Sequence, residues 1–427
     1  MKLSVTILLL IFTVNTTLSQ SSFKEKDIIL ENKVYDNNIH TVLLHPENNP
    51  LSYPIVHLGT EEKLQLSFDD FNEEDYQNYY YTLIHCNSDW TASDLMQQEY
   101  INGFFENKME DYEFSFNTQQ HYTHYNLIFP EEYLKVTLSG NYIIKVYNYQ
   151  TNKLVLSKRF MMLEEKINIS THVKRATLID EREYKQEIDF TINHSNIYFA
   201  NPYVDLKVII KQNNREDNRI DNLKPLFIKK DQLIYNYESE NTFEAGNEYR
   251  HFDIKSIRYQ SERIKKITED SNSINVVLYT DISRSFHEFL SIPDINGNFL
   301  IDKQEAWNSD IEAEYVNVTF SLLENRKITY GDIYLLGRFT DWNIDEKYKL
   351  IFNEESRKHE CSSLLKQGYY NYLYILKDNS TNNTNLTFIE GSHYQTKNDY
   401  YIYVYYREIG KTYDQLIGYI KTSSVLF

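Results

Sequence analysis

Cysteine is nearly absent. The 427 residues contain two, Cys86 and Cys361, too few for a disulfide framework. Each lies in an aromatic-rich, strand-like stretch where a buried thiol is the commoner state, so two thiols are expected rather than a bridge. Positive charge is also short, with 44 Lys and Arg against 62 Asp and Glu and a formal charge of -18. That balance opposes binding to nucleic acid or anionic lipid by bulk attraction. Beyond the N-terminal run no segment approaches the roughly 18 apolar residues of a membrane-spanning helix. Glycine (11) and proline (7) are scarce, and the sequence has no Gly-rich phosphate loop, no Gly-x-Ser-x-Gly elbow and no His-Glu-x-x-His pair.

Tyrosine is abundant at 38, with 23 Phe. Aromatic and β-branched residues suit pleated, half-buried surfaces, which points to a β fold. Met1-Lys2 followed by the apolar run Leu3 to Val14, with Thr17 and Ser19 before Gln20, reads as a signal peptide over residues 1–19. The mature protein is therefore expected to be exported.

Short apolar stretches broken by Asn, Asp, Pro or Gly continue along the chain. Leu64-Gln65-Leu66-Ser67-Phe68 alternates as a half-buried strand should, and Ser93 to Ile101 carries a capped helical turn. We expect an all-β chain of tandem β-sandwiches, immunoglobulin-like or early-set-like, divided as 20–165, 166–285 and 286–427. Glu164-Glu165-Lys166 reads as a hinge, Lys211 to Asp221 as a loop or hairpin tip, and Ser261 to Ser273 as hydrophilic chain before a strand. Gly337-Arg338-Phe339-Thr340-Asp341-Trp342, with Gly368-Tyr369-Tyr370-Asn371-Tyr372, resembles the early-set modules found beside starch-acting enzymes.

Catalysis finds little support. His121 and His124, three apart on a strand, face opposite sides, and adjacent His85 and Cys86 point apart, so neither a metal pair nor a Cys-His dyad is expected. Asp294, Asn296, Asn298, Asp302 and Glu305 have calcium-loop spacing, but Phe299 stands where such loops need Gly. Calcium and a plain Asn-Gly turn both remain open there, and no other cofactor is expected. Trp342, Tyr369, Tyr370 and Tyr372 are read either as packing or as a sugar-stacking platform, which keeps an exported carbohydrate-binding module as the alternative function.

The stretch Tyr81-Thr82-Leu83-Ile84-His85-Cys86-Asn87-Ser88-Asp89-Trp90, with Glu99-Tyr100-Ile101-Asn102-Gly103-Phe104 and Tyr122-Thr123-His124-Tyr125, resembles the plug-protein family of the type IX secretion system of Bacteroidota. Further matches are Gly246-Asn247-Glu248-Tyr249-Arg250-His251-Phe252-Asp253, Asp294-Ile295-Asn296-Gly297, Lys366-Gln367-Gly368-Tyr369-Tyr370, Glu390-Gly391-Ser392 and Asn398-Asp399-Tyr400, with Lys397 replacing an expected acid. The resemblance implies a non-enzymatic periplasmic subunit at the inner face of the outer membrane, closing the translocon barrel by steric contact. The interface is then expected in the first domain around Trp90 to Gly103, at Trp90, Asp94, Glu99, Tyr100 and Asn102.

Overall fold

The computed structural model describes residues 30–72, 76–271, 273–324 and 328–424. The expected signal peptide lies outside them. Strand Leu64–Asp70 turns Leu64, Leu66 and Phe68 inward as its alternation requires. It lies between Ile39–Pro46 and Thr123–Phe129, and Asp111–Phe114 completes that sheet. The facing sheet runs Lys33–Val34, Lys153–Leu163, Gly140–Asn148, Tyr79–Cys86 and Glu106–Lys108. In Tyr79–Cys86, residues Tyr79, Tyr81 and Leu83 fill the core between the two sheets, while Ile84 and Cys86 point to the other side. That other side is covered too.

The cover is the second sandwich. Its inner sheet, Ile220–Asp221, Leu206–Gln212, Asp399–Tyr406 and Gln415–Ser423, packs Ile209, Tyr401, Tyr403, Tyr405 and Leu416 against Ile84, Cys86, Trp90, Ile143 and Leu163 of the first. The alternate residues Leu206, Val208, Ile210, Tyr400, Ile402 and Val404 face the opposite way, onto the outer sheet built from Asn168–Arg175, Lys185–Asn193, Gln232–Tyr235 and Phe227–Lys229. Four sheets thus stack face on face, and the two inner ones are buried on both sides. Each aromatic ring buried in such a seam contributes about 1.5–3 kcal/mol. Much of the tyrosine excess is spent in this way.

The third sandwich follows one curled path from Arg250–Asp253 through Gly368–Asp378, Gly331–Leu336, Lys349–Asn353, Lys358–Lys366, Tyr315–Leu323 and Ile274–Leu278 to Ile264–Glu269. One core, including Phe252, Val276, Val318, Leu335, Tyr370 and Tyr372, joins its two ends. Strand pairing therefore differs from the serial division at 285 and 286. Residues 250–282 belong with the third sandwich, and the last two strands return to the second, where Leu206–Gln212 pairs with Asp399–Tyr406. The physical reason is that Leu206–Gln212 needs a neighbour on the side that Ile220–Asp221 leaves open, and only a strand apolar on both faces fits between two sheets. The charged segment read as a hinge is pinned, with Glu164 and Lys166 donating backbone N–H bonds to Leu416 and Ile417. Ser261 to Ser273 carries a strand, Ile264–Glu269, at the sheet edge, where Ile264 is the buried residue. Among the described residues no helix is long and apolar enough to cross a membrane. Cys86 and Cys361 are buried thiols in different sandwiches.

Candidate interaction surface

The most distinctive stretch of the first sandwich is turned inward. His85 contacts Ser93 Oγ at 2.9 Å and the Ser139 carbonyl at 3.3 Å and stands edge-on to Tyr142 and Tyr413. Burial pushes its pKa down to about 4, so the ring is neutral. Ser88 donates its N–H and its hydroxyl to Asp414, at 3.0 and 2.7 Å, and Arg407 reaches the same carboxylate at 2.8 Å. Burial alone would raise the Asp414 pKa, but the bonds from Arg407 and Ser88 outweigh it and hold the group at about 2. Trp90, 4% exposed, lies beneath the Arg159 guanidinium at 4.5 Å. His85, Cys86, Ser88 and Trp90 therefore fasten the first sandwich to the second, and no Cys-His dyad or metal pair forms. His124 is buried on Asp69 at 2.6 Å, while His121 is exposed.

Of the residues expected to meet an outside partner, Trp90 and Tyr100 are corrected by this geometry. Both are buried, Tyr100 beneath the turn Gln97–Tyr100, and neither can contribute to an external contact. Asp94, Glu99 and Asn102 are exposed. Glu99 also accepts the Met96 N–H at 2.7 Å, which closes that turn. Beside them the sequence reading missed an aromatic edge: Phe104 and Tyr133 are 63% and 64% exposed with ring centroids 6.3 Å apart, and Met96 is exposed nearby in the chain. The signal lay in Gly103-Phe104-Phe105, an apolar pair outside any alternating strand.

Gly103 shapes this edge. Its φ is +116°, and a Cβ there would stand 2.1 Å from the Tyr133 carbonyl oxygen, because Ile101–Gly103 pairs closely with Leu134–Val136. Gly103→Ala is expected to cost about 2 kcal/mol or more through the forbidden backbone region and the clash. Urea unfolding reads the loss, and faster amide exchange at Phe104, whose N–H donates to the Tyr133 carbonyl at 2.8 Å, locates it.

Motifs far apart in sequence meet between the second and third sandwiches. Asn213, at the tip of the hairpin expected within Lys211 to Asp221, donates from Nδ2 to Tyr249 and Asn398, donates its backbone N–H to the Asp399 carbonyl, accepts the Asp399 N–H at its Oδ1, and offers its carbonyl to Tyr53 of the first sandwich. Asn398 continues to Gln186 and the Ala245 carbonyl. The five residues with calcium-loop spacing each bond within the chain. Asp294 accepts the N–H groups of Tyr249 and Asn296, Asn296 donates to Asp399, and Asn298 bonds the Ile295 carbonyl. Asp302 receives the Ser309 hydroxyl and Glu305 pairs with Arg258. Among the described residues no group of three or more His, Cys, Asp or Glu could hold a metal ion. Asn296 and Gly297, both at positive φ, form the Asn-Gly turn, and a Cβ on Gly297 would stand 2.2 Å from Trp342.

Glu248 is buried at this seam, and burial with the nearby Asp294 charge raises its pKa to about 7. Between about pH 4.5 and 7 the folded chain therefore holds a proton that the unfolded chain releases, and stability falls as pH rises across that window. Glu248→Gln is expected to add of order 1 kcal/mol at pH 8 and progressively less toward pH 5. Urea titrations at the two pH values check this.

Two buried charge clusters complete the seams. Between the first and third sandwiches Lys366 Nζ lies 2.5 Å from Asp69, both 1% exposed, and the same carboxylate accepts from Tyr315 at 2.6 Å and meets His124. Inside the third, Arg250 binds Asp281 at 2.8 Å and Glu390 at 3.0 Å, while Arg263 and Arg284 flank the pair. Tyr370, Tyr372 and Trp342 are buried in apolar clusters and Tyr369 is half-buried, so these four do not present a sugar-stacking face.

A family model described as the type 9 secretion system plug protein 1st domain matches residues 39–164, which take in the first sandwich except its opening strand Lys33–Val34. A crystal structure at 2.30 Å resolution of a hypothetical protein from Parabacteroides merdae ATCC 43184 is 35% identical, with a TM-score of 0.90 over 93% of this chain and 100% of that one. The C-terminal domain of the Streptococcus pyogenes antigen I/II-family protein AspA, at 7% identity and a TM-score of 0.16 over 91% of this chain and 100% of that one, carries no argument. Comparison with curated proteins gives no match. With its first sandwich matched to that domain and its whole architecture shared with a 35%-identical relative, the chain belongs to the type IX secretion system plug protein family.

Proposed function

We propose that this protein is a non-enzymatic stopper of type IX secretion that sits at the periplasmic face of the outer membrane and seals the translocon barrel sterically when no cargo fills it. A stopper must resist deformation. The observation that carries the reading is the joining of all three sandwiches by buried charge and hydrogen-bond clusters, at Asp414 with Ser88, Asp69 with Lys366 and Asn213 with Tyr53 and Tyr249. Docking falls to the exposed edge of the first sandwich, with Phe104 and Tyr133 as apolar anchors and Asp94, Glu99 and Asn102 as a polar rim. A small aromatic centre with a wet rim suits a contact that must form and release.

Affinity purification from cell envelopes tests both parts. The wild-type chain should retain a very large outer-membrane barrel, Phe104→Asp with Tyr133→Asp should lose it, and Phe286→Asp, at an exposed ring of the third sandwich, should keep it. Absence of any barrel with the wild type sinks the function. Full retention by the double variant sinks the placement alone.

A further inference from the structure

Where the three sandwiches meet there is a cleft of about 440 Å³, at the low end of ligand pockets, which span about 300–1,000 Å³. Its walls include Tyr53 and Trp90 from the first sandwich, Tyr403 from the second and Trp342 from the third. Its charge runs against that of the chain. Lys158, Arg159, Lys211, Arg219 and Arg338 line it with the carboxylates of Glu31, Glu216 and Asp341, in a protein of formal charge -18.

Lys158 is neutralised by Asp341, 2.7 Å from both carboxylate oxygens. Glu216 is shared by three cations, Lys211 at 2.5 Å, Arg219 at 3.1 Å and Arg159 at 3.6 Å, and Arg219 has a second acid in Asp221 at 3.0 Å. Arg338 donates to neutral acceptors, the carbonyls of Leu44, Pro50 and Ser52 and the Asn298 amide oxygen. Among the described residues no carboxylate reaches it as an ion pair. Positive charge in a recess shielded from water draws an anion more strongly than the same charge on open surface.

We propose that this cleft binds a small organic carboxylate with an aromatic or apolar body. The carboxylate is drawn to the Arg159 and Arg338 guanidinium groups, and the body lies along Tyr53, the one half-buried ring of those four. Charge attraction rather than a two-bond fork draws the carboxylate in, because Arg159 Nε and Nη2 already donate to the Leu30 carbonyl and Arg338 Nη1 and Nη2 to their four acceptors, and the room suits a molecule of amino-acid size. No step of the stopper reading depends on this site.

The chain's three tryptophans report on it, since Trp90 and Trp342 line the cleft and Trp307 is fully exposed elsewhere. N-acetyl-phenylalanine, titrated at low salt into the full ¹⁵N-labelled chain, should shift the indole resonances of Trp90 and Trp342 but not Trp307. N-acetyl-phenylalanine amide should need at least about tenfold more to do the same. Arg159→Gln should weaken binding by about tenfold. If that variant does not fold, raising salt from about 20 to about 500 mM on the wild-type chain should weaken it comparably. Equal responses to acid and amide, no response to either, salt-independent binding, or a response to inorganic phosphate alone would each overturn the proposal.

Discussion

Lys366→Met is expected to destabilise the protein by about 3–5 kcal/mol, because it leaves Asp69 as a buried carboxylate without its cation. The side chains of both residues are 1% exposed, and Lys366 also donates to the Asp310 carbonyl and lies 4.2 Å from the centre of the Tyr122 ring. Burial would raise the Asp69 pKa, but Lys366 and His124 outweigh it and hold it below the ordinary value. Asp69 is therefore ionised at neutral pH. Adding Asp69→Asn should recover most of the loss, since an uncharged partner removes the uncompensated charge. Urea unfolding of the two single variants and the double variant measures the cycle. Losses that simply add would show that the two residues act independently.

Arg250→Met is the second large effect, again about 3–5 kcal/mol. Arg250 joins two buried acids and the Ile282 carbonyl, and Asp281 additionally accepts from the hydroxyls of Tyr372 and Tyr374 at 2.7 and 2.8 Å. The Arg263 and Arg284 pairs would survive, so the cluster should loosen without complete loss of the fold. Arg250→Lys should also destabilise, by about 2 kcal/mol, because an ammonium cannot reproduce the planar fork that reaches Asp281 and Glu390 together. Limited proteolysis should show new cuts near 282–290, where Arg250 and Arg284 tie the chain to Glu390.

Local patterning was readable where apolar and polar residues alternate along a strand or where a turn needs a special backbone. Leu64, Leu66 and Phe68 face the core as their spacing requires, and Asn296-Gly297 turns as its composition requires. The run Tyr400-Tyr401-Ile402-Tyr403-Val404-Tyr405-Tyr406 carried a signal of a different kind. Seven consecutive apolar and aromatic residues with no alternation mark a strand covered on both sides, yet which sheets cover it depends on long-range pairing that no local period records.

The same limit governed the site. His85, Ser88 and Trp90 look like functional groups because they are polar or aromatic and closely spaced, and their chemistry is consumed by the seam to the second sandwich. The outward edge at Phe104 and Tyr133 depends on Gly103 meeting a strand thirty residues further on. Spacing within either segment does not reveal it.

The placement of the docking edge is tested most directly by p-benzoyl-phenylalanine incorporated in living cells at position 104 and, separately, at position 286. The account predicts a crosslink from 104 to a very large outer-membrane barrel, lost when cargo is in transit, and none from 286. A barrel crosslink from 286 with none from 104 would contradict it.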